Sequence, residues 1–149
     1  INLGFSGSGR MEPEIARLIS ELDPEIYFID CLPNLEAGEV ALRVEPFIRI
    51  LREAHPKTPI VLAEGITYDD GFLVKARGLR DTDSREALRN AYENLLNSGF
   101  RNLYYQIAEG ELGSDGEGTV DGTHPTDLGF MRQADTYEPM LRSILQKLQ

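Results

Sequence analysis

The sequence predicts an α/β fold, a three-layer αβα sandwich around a parallel sheet. Three observations lead there. Short apolar-rich runs at residues 26–32, 59–63 and 102–107 have the length of strands, and the first two have the all-round hydrophobicity of strands covered on both faces. Segments with apolar residues at helical spacing alternate with these runs. Glycine, proline and asparagine punctuate the joins, and no repeat or linker interrupts the 149 residues, so a single domain over 1–149 is expected.

Taken in order, Ile1-Asn2-Leu3 reads as the end of a strand, followed by a glycine- and serine-rich loop at 4–9. A helix comes next, with Pro13 in its first turn and Ile15, Leu18, Ile19 and Leu22 on one face, and Asp23-Pro24 ends it. The strand at 26–32 breaks at Pro33-Asn34. A second helix spans 39–54, and Pro46 either restarts or kinks it. After the strand at 59–63, residues 64–82 read as irregular. Asp83 or Ser84 is placed to cap a long helix bearing Leu88, Ala91, Leu95 and Leu96, stopped by Gly99. The strand at 102–107 leads into a loop with five glycines that ends at His124-Pro125. Thr126 caps a closing helix carrying Phe130, Ala134, Tyr137, Leu141 and Leu145, bent near Pro139.

Composition narrows the function. Hydrophobic residues make up 41% and charged residues 27%, the balance of a soluble globular protein. The net charge of -10 and the scattered lysines and arginines argue against a nucleic-acid partner, since counterion release needs clustered cations. No apolar stretch approaches the length of a membrane span. No signal-peptide pattern opens the chain, which leaves the compartment open, because an exported protein loses its leader. Cys31 is alone in an apolar run and reads as a small buried hydrophobe; it rules out an intramolecular disulfide and a cysteine metal cluster.

In α/β folds, ligands sit beyond the carboxyl ends of the strands. Three segments fall there. In Asp121-Gly122-Thr123-His124, a histidine suited to general-base work follows an aspartate close enough to fix its tautomer and stabilise the imidazolium. The same spacing also suits a plain turn beside a helix cap. The loop Gly4-Phe5-Ser6-Gly7-Ser8-Gly9 lacks the Gly-Lys-Ser/Thr of a phosphate cradle and departs from Gly-x-Ser-x-Gly. An oxyanion loop and a simple strand-to-helix turn both remain open for it. Asn34 is either a turn former or a side-chain amide donor to an oxyanion. His55, between a helix and Pro56, reads as a surface residue. Arg10, Glu64 and Asp69 read as solvated loop charges, or as substrate-edge residues.

Together and in this order, the three segments resemble the SGNH hydrolase superfamily, and in particular a bacterial branch of GDSL-like acylhydrolases. The resemblance runs through Asn2-Leu3-Gly4-Phe5-Ser6-Gly7, Asn34, and the stretch from Asp121 to Gly129. It implies that His124 and Asp121 are catalytic and that the Gly7 N–H and the Asn34 amide form the oxyanion hole. Around Asn34 the family's Gly-x-Asn-Asp is replaced by Cys31-Leu32-Pro33-Asn34-Leu35. The family's nucleophile block, a strand ending in Gly-Asp-Ser or Gly-x-Ser, has no counterpart in these residues. The resemblance therefore implies a nucleophilic serine upstream of Ile1, a central strand supplied from the same place, and an N-terminally incomplete domain or one whose gap is otherwise filled. The implied activity is serine-type hydrolysis of esters, small acyl esters or acetylated carbohydrates, with no metal or organic cofactor. Two alternatives stand beside it: the same chemistry with Ser6 as nucleophile, and a non-catalytic α/β binding or scaffold domain.

Overall fold

The computed structural model describes residues 1–148. Its core is a parallel sheet of β1 (Tyr27–Ile29), β2 (Ile60–Ala63) and β3 (Leu103–Gln106), in the order β1-β2-β3. The helices are α1 (Pro13–Ile19), α2 (Ala37–Ala54), α3 (Lys75–Asn97) and α4 (Asp127–Leu148). The expected α/β architecture is present.

The period-2 alternation of the strands divides their side chains between two helical layers. Tyr27, Ile29, Ile60, Leu62 and Leu103 join Ala16, Val44, Ile48, Leu51, Leu88 and Leu95 in one core on the side of α1, α2 and α3. Phe28, Val61 and Tyr104, aligned across the sheet, face the other way. There the Tyr137 ring of α4 lies 4.8 Å from Phe28, and Lys147 stands over Tyr104 at 5.6 Å. β2 is paired on both edges and all four of its residues are buried. That explains why its sequence shows no polar alternation, and each such aliphatic side chain contributes roughly 1.5–3 kcal/mol by leaving water.

α2 begins with a reciprocal capping box between Glu36 and Glu39. It runs unbroken through Pro46, whose lost backbone bond is offset by the buried stripe Val40, Val44, Phe47, Ile48 and Leu51. Thr126 caps α4 as expected, its Oγ1 accepting from the Gly129 N–H at 3.0 Å.

Three expectations need correction. Residues 1–3 form no strand; Ile1 is 99% exposed, and no neighbouring ladder among the described residues takes up their backbone groups. β1 likewise pairs only with β2. Its other edge and the side chains of Ile1, Leu3 and Phe5 line a groove of about 440 Å³. Second, α1 keeps Ile15 and Ile19 against the core as expected and adds the buried Ala16, but Leu18 is exposed and the helix stops before Leu22. Third, α3 starts at Lys75, eight residues before the expected cap at Asp83 or nine before Ser84. Ser84 is buried inside the helix with its hydroxyl toward the Leu35 carbonyl. A glycine in the added turns is unfavourable by propensity, but here Gly78 meets Gly71 so closely that a Cβ would lie 2.7 Å from the Gly71 carbonyl oxygen. Tertiary packing outweighs the local preference.

No helix among the described residues is long and apolar enough to cross a membrane.

Candidate active site

The chain between β3 and α4 has no strand of its own beyond a single antiparallel bridge, Thr119 with Pro125. Two backbone bonds close this small hairpin, Val120 N–H to the His124 carbonyl and Thr126 N–H to the Gly118 carbonyl, both 2.9 Å. Its tip carries Asp121 and His124. Asp121 Oδ1 accepts from the backbone N–H groups of Thr123 (3.0 Å) and His124 (2.8 Å), while Oδ2 lies 2.7 Å from His124 Nδ1. These bonds, led by the one from the His124 backbone, hold the Asp121 carboxyl down at about 2. The carboxylate is thus charged throughout the neutral range. It accepts the Nδ1 proton, and Nε2 has no hydrogen-bond partner among the described residues. An imidazole oriented through Nδ1, with its distal nitrogen open, is the geometry of a general base.

The hairpin tip touches the rest of the fold through the loop after β2. The Asp69 N–H donates to the Gly122 carbonyl at 3.0 Å. Asp69 Oδ2 accepts from Thr119 Oγ1 at 2.7 Å, and Thr119 Oγ1 accepts from the Gly122 N–H at 3.1 Å. Arg77 Nη1 donates to both oxygens of Asp70 (2.9 and 2.8 Å) and reaches Thr123 Oγ1 at 3.5 Å. Gly122 has φ +82°, a conformation that favours glycine, and a Cβ there would crowd Asp70 Cγ at 3.2 Å.

Gly7 and Asn34 also come together. Phe5, Ser6 and Gly7 turn through the left-handed region (φ +50°, +48° and +79°), and the Ser8 N–H closes the turn on the Phe5 carbonyl at 2.9 Å. A Cβ on Gly7 would lie 3.9 Å from Asn34 Oδ1. Asn34 follows β1 at the end of a short turn, Leu32–Asn34, with Pro33 in its second position. Its Nδ2 donates one hydrogen to the Gly9 carbonyl at 3.1 Å, which leaves the second free. No hydrogen bond among the described residues joins this pair to the hairpin, and none joins Ser6 Oγ or Ser8 Oγ to His124.

Several other polar residues have structural partners. Glu64 is no solvated loop charge: it is 7% exposed, and its carboxylate accepts from Tyr105 OH (2.8 Å), Arg89 Nη2 (2.9 Å) and the Ala108 N–H (3.0 Å). Arg10 pairs with Glu39 on α2. His55 is half-buried rather than superficial; its Nε2 bonds the Ser20 carbonyl at 2.8 Å and its ring meets Tyr27 edge-on, tying the end of α2 to α1. Burial pushes the Cys31 thiol up to about 12, so it is inert as a thiolate. No group of three or more His, Cys, Asp or Glu side chains among the described residues is arranged to hold a metal.

One cluster had no signal in the sequence. Glu111, 1% exposed, accepts from Gln133 Nε2 (3.3 Å), whose amide also reaches Tyr137 OH at 3.4 Å, and its Oε1 has no partner. Burial raises its carboxyl to about 7. Asp30, at the end of β1, is also held above its ordinary range, chiefly by the protein packed around it even though part of its surface is open. Only the fold brings residues 30, 111 and 137 together.

With this geometry in view, comparisons with known proteins agree on the family. The family model described as "GDSL-like Lipase/Acylhydrolase family" matches residues 1–142. Among solved structures, the chain is similar to a protein described as a GDSL-like lipase from Bacteroides ovatus, with 36% identity over 94% of this chain and a TM-score of 0.91. It also shares the fold of the salicylyl-acyltransferase SsfX3 of a tetracycline biosynthetic pathway, at 21% identity over 91% of this chain and a TM-score of 0.74. The chain spans 42% of the length of each of these two structures. No curated protein matches the chain. The family match covers nearly the whole sequence, and the chain belongs to the GDSL-like lipase/acylhydrolase family.

Proposed function

We propose that the protein is a serine-type ester hydrolase in which His124 is the general base and Asp121 its orienting partner. The observation that carries this reading is the 2.7 Å contact between Asp121 and His124 Nδ1, with Nε2 left open. The Gly7 N–H and the free hydrogen of Asn34 Nδ2 form the oxyanion hole, and their adjacency supports that role. The nucleophile is a serine on a segment preceding Ile1, laid along the open edge of β1 so that its hydroxyl reaches His124. The groove between β1 and the side chains of Ile1, Leu3 and Phe5 supports that placement, and so does the lack of any bond from Ser6 or Ser8 to His124.

The reaction then runs in two steps. Serine Oγ attacks the ester carbonyl carbon while His124 Nε2 takes its proton, and the carbonyl oxygen becomes an oxyanion facing Gly7 and Asn34. The imidazolium, stabilised by Asp121, passes that proton to the departing alkoxide, leaving an acyl-serine. Water, deprotonated by His124, attacks the acyl carbon, and the acid leaves as the proton returns to serine. Small acyl esters and acetylated carbohydrates are the substrates this reading favours.

The test is hydrolysis of a chromogenic acetyl ester by the full-length protein. His124→Ala is expected to lower kcat by about 10⁴-fold or more, and Asp121→Asn by a comparable factor, as for other triads. Undiminished hydrolysis by His124→Ala, or none by the unaltered protein, would replace this reading with a non-catalytic one.

A further inference from the structure

The Asp121–His124 turn is held internally by its own aspartate, but those bonds do not fix where the turn points. Asp121 side chains and the backbone they bind lie within four consecutive residues and move together. The hairpin around them is closed by its own backbone, and Arg132 ties the preceding loop to α4 through Asp115 and the Leu112 carbonyl. His124 itself is 77% exposed at the side chain, so packing does not restrain it. The base of the hairpin rests on the start of α4, with the Gly118 carbonyl against Gly129, while its tip is tied to the loop after β2.

Asp69 supplies that tie, six residues after the end of β2. Its backbone N–H holds the Gly122 carbonyl, and its carboxylate, through the Thr119 hydroxyl, holds the Gly122 N–H. Both polar groups of the residue at the centre of the Asp121–His124 turn are therefore tied, directly or through one hydroxyl, to a single residue of another loop. Thr119 Oγ1 has one proton, which it gives to Asp69, and it uses a lone pair for Gly122, so the chain of donors and acceptors is complete. A charged acceptor makes the Thr119 bond stronger than one to a neutral group.

We propose that Asp69 is a positioning residue that sets the aim of His124 through Thr119 and the Gly122 backbone. The inference rests on His124 being the general base. Asp69 makes no contact with reacting atoms in this role, and its loss displaces His124 from in-line proton transfer without removing any group of the triad. Arg77, bound to Asp70 and within reach of Thr123, supports the same turn from a second point.

The experiment measures kcat and KM for ester hydrolysis by the full-length protein and its variants. Displacing a general base by about 1 Å costs up to roughly 10²-fold, so Asp69→Ala is expected to lower kcat by about 10- to 100-fold with little change in KM. Asp69→Asn keeps a side-chain oxygen for Thr119 and should return kcat to near the unaltered value. Thr119→Val should lower kcat as Asp69→Ala does, and the double variant should be no worse than the poorer single one, because both break one chain of bonds. The imidazole ¹⁵N shifts of His124 at alkaline pH give a readout independent of turnover. They should report mainly the Nδ1–H tautomer in the unaltered protein, in Asp69→Asn and in Asp69→Ala alike, because Asp121 moves with the ring and only its aim changes. Unchanged kcat in folded Asp69→Ala, a rise in KM alone, additive effects of the two substitutions, or loss of the Nδ1–H tautomer in Asp69→Ala would each overturn the proposal. If the unaltered protein hydrolyses no ester, the esterase reading falls and this proposal with it; hydrolysis that is undiminished in Asp69→Ala overturns the proposal alone.

Discussion

The two halves of the candidate site are built in opposite ways. The half bearing Asp121 and His124 is polar and exposed, and a dense set of hydrogen bonds braces it within its own turn and from Asp69. The half bearing Gly7 and Asn34 is sparsely bonded: one amide contact to the Gly9 carbonyl and a left-handed turn closed by the Ser8 N–H, beside an open apolar groove. The acid–base half needs nothing further to hold its geometry. The oxyanion half borders the open edge of β1, where we place the segment that carries the nucleophile. The difference suggests that the aim of the base is built in, whereas completion of the site depends on what lies along β1.

This contrast can be sharpened by substitution, beginning with Asn34. Asn34→Ala removes one of the two proposed oxyanion donors and is expected to lower kcat by about 10²–10³-fold with KM nearly constant, measured by steady-state hydrolysis. A loss of stability with kcat intact would make Asn34 a turn former only and leave the oxyanion half without its side-chain donor.

A smaller effect is expected behind the site, at Glu111. Its folded carboxyl titrates at about 7 against an ordinary value of 4.5. Between those values the folded state binds more protons than the unfolded state, so stability falls as pH rises through that window and levels off above it. A shift of this size corresponds to about 3 kcal/mol. Urea unfolding at pH 5 and pH 7.5 should therefore show a clear loss for the unaltered protein and a much shallower one for Glu111→Gln. Asp30, also raised, retains part of the slope, while Tyr137, Gln133 and Arg85 complete the groups facing Glu111. An equal slope in both proteins would show that Glu111 does not carry the charge cost of this cluster.

How legible each feature was in the sequence follows from the range of the interactions that make it. β2 announced itself through continuous hydrophobicity, and α2 through a long apolar stripe. The Asp121–His124 pair was visible because both partners lie within one turn. The start of α3 was hidden, since the turns around Gly78 exist by packing against Gly71 and not by propensity. Residues 1–3 read as a strand because their side chains are strand-like, but a strand also needs a neighbour to bond. Asp69 looked like a loop charge because its partner Thr119 lies 50 residues away, and the Glu111 cluster likewise joins segments far apart in sequence.

The central claim is that His124 serves a serine lying before Ile1. A fluorophosphonate that labels activated serines, reacted with the full-length protein and located by mass spectrometry after digestion, tests it most directly. The account predicts a single adduct on a serine N-terminal to Ile1, lost in His124→Ala. An adduct on Ser6 or Ser8, or labelling that persists in His124→Ala, would contradict it.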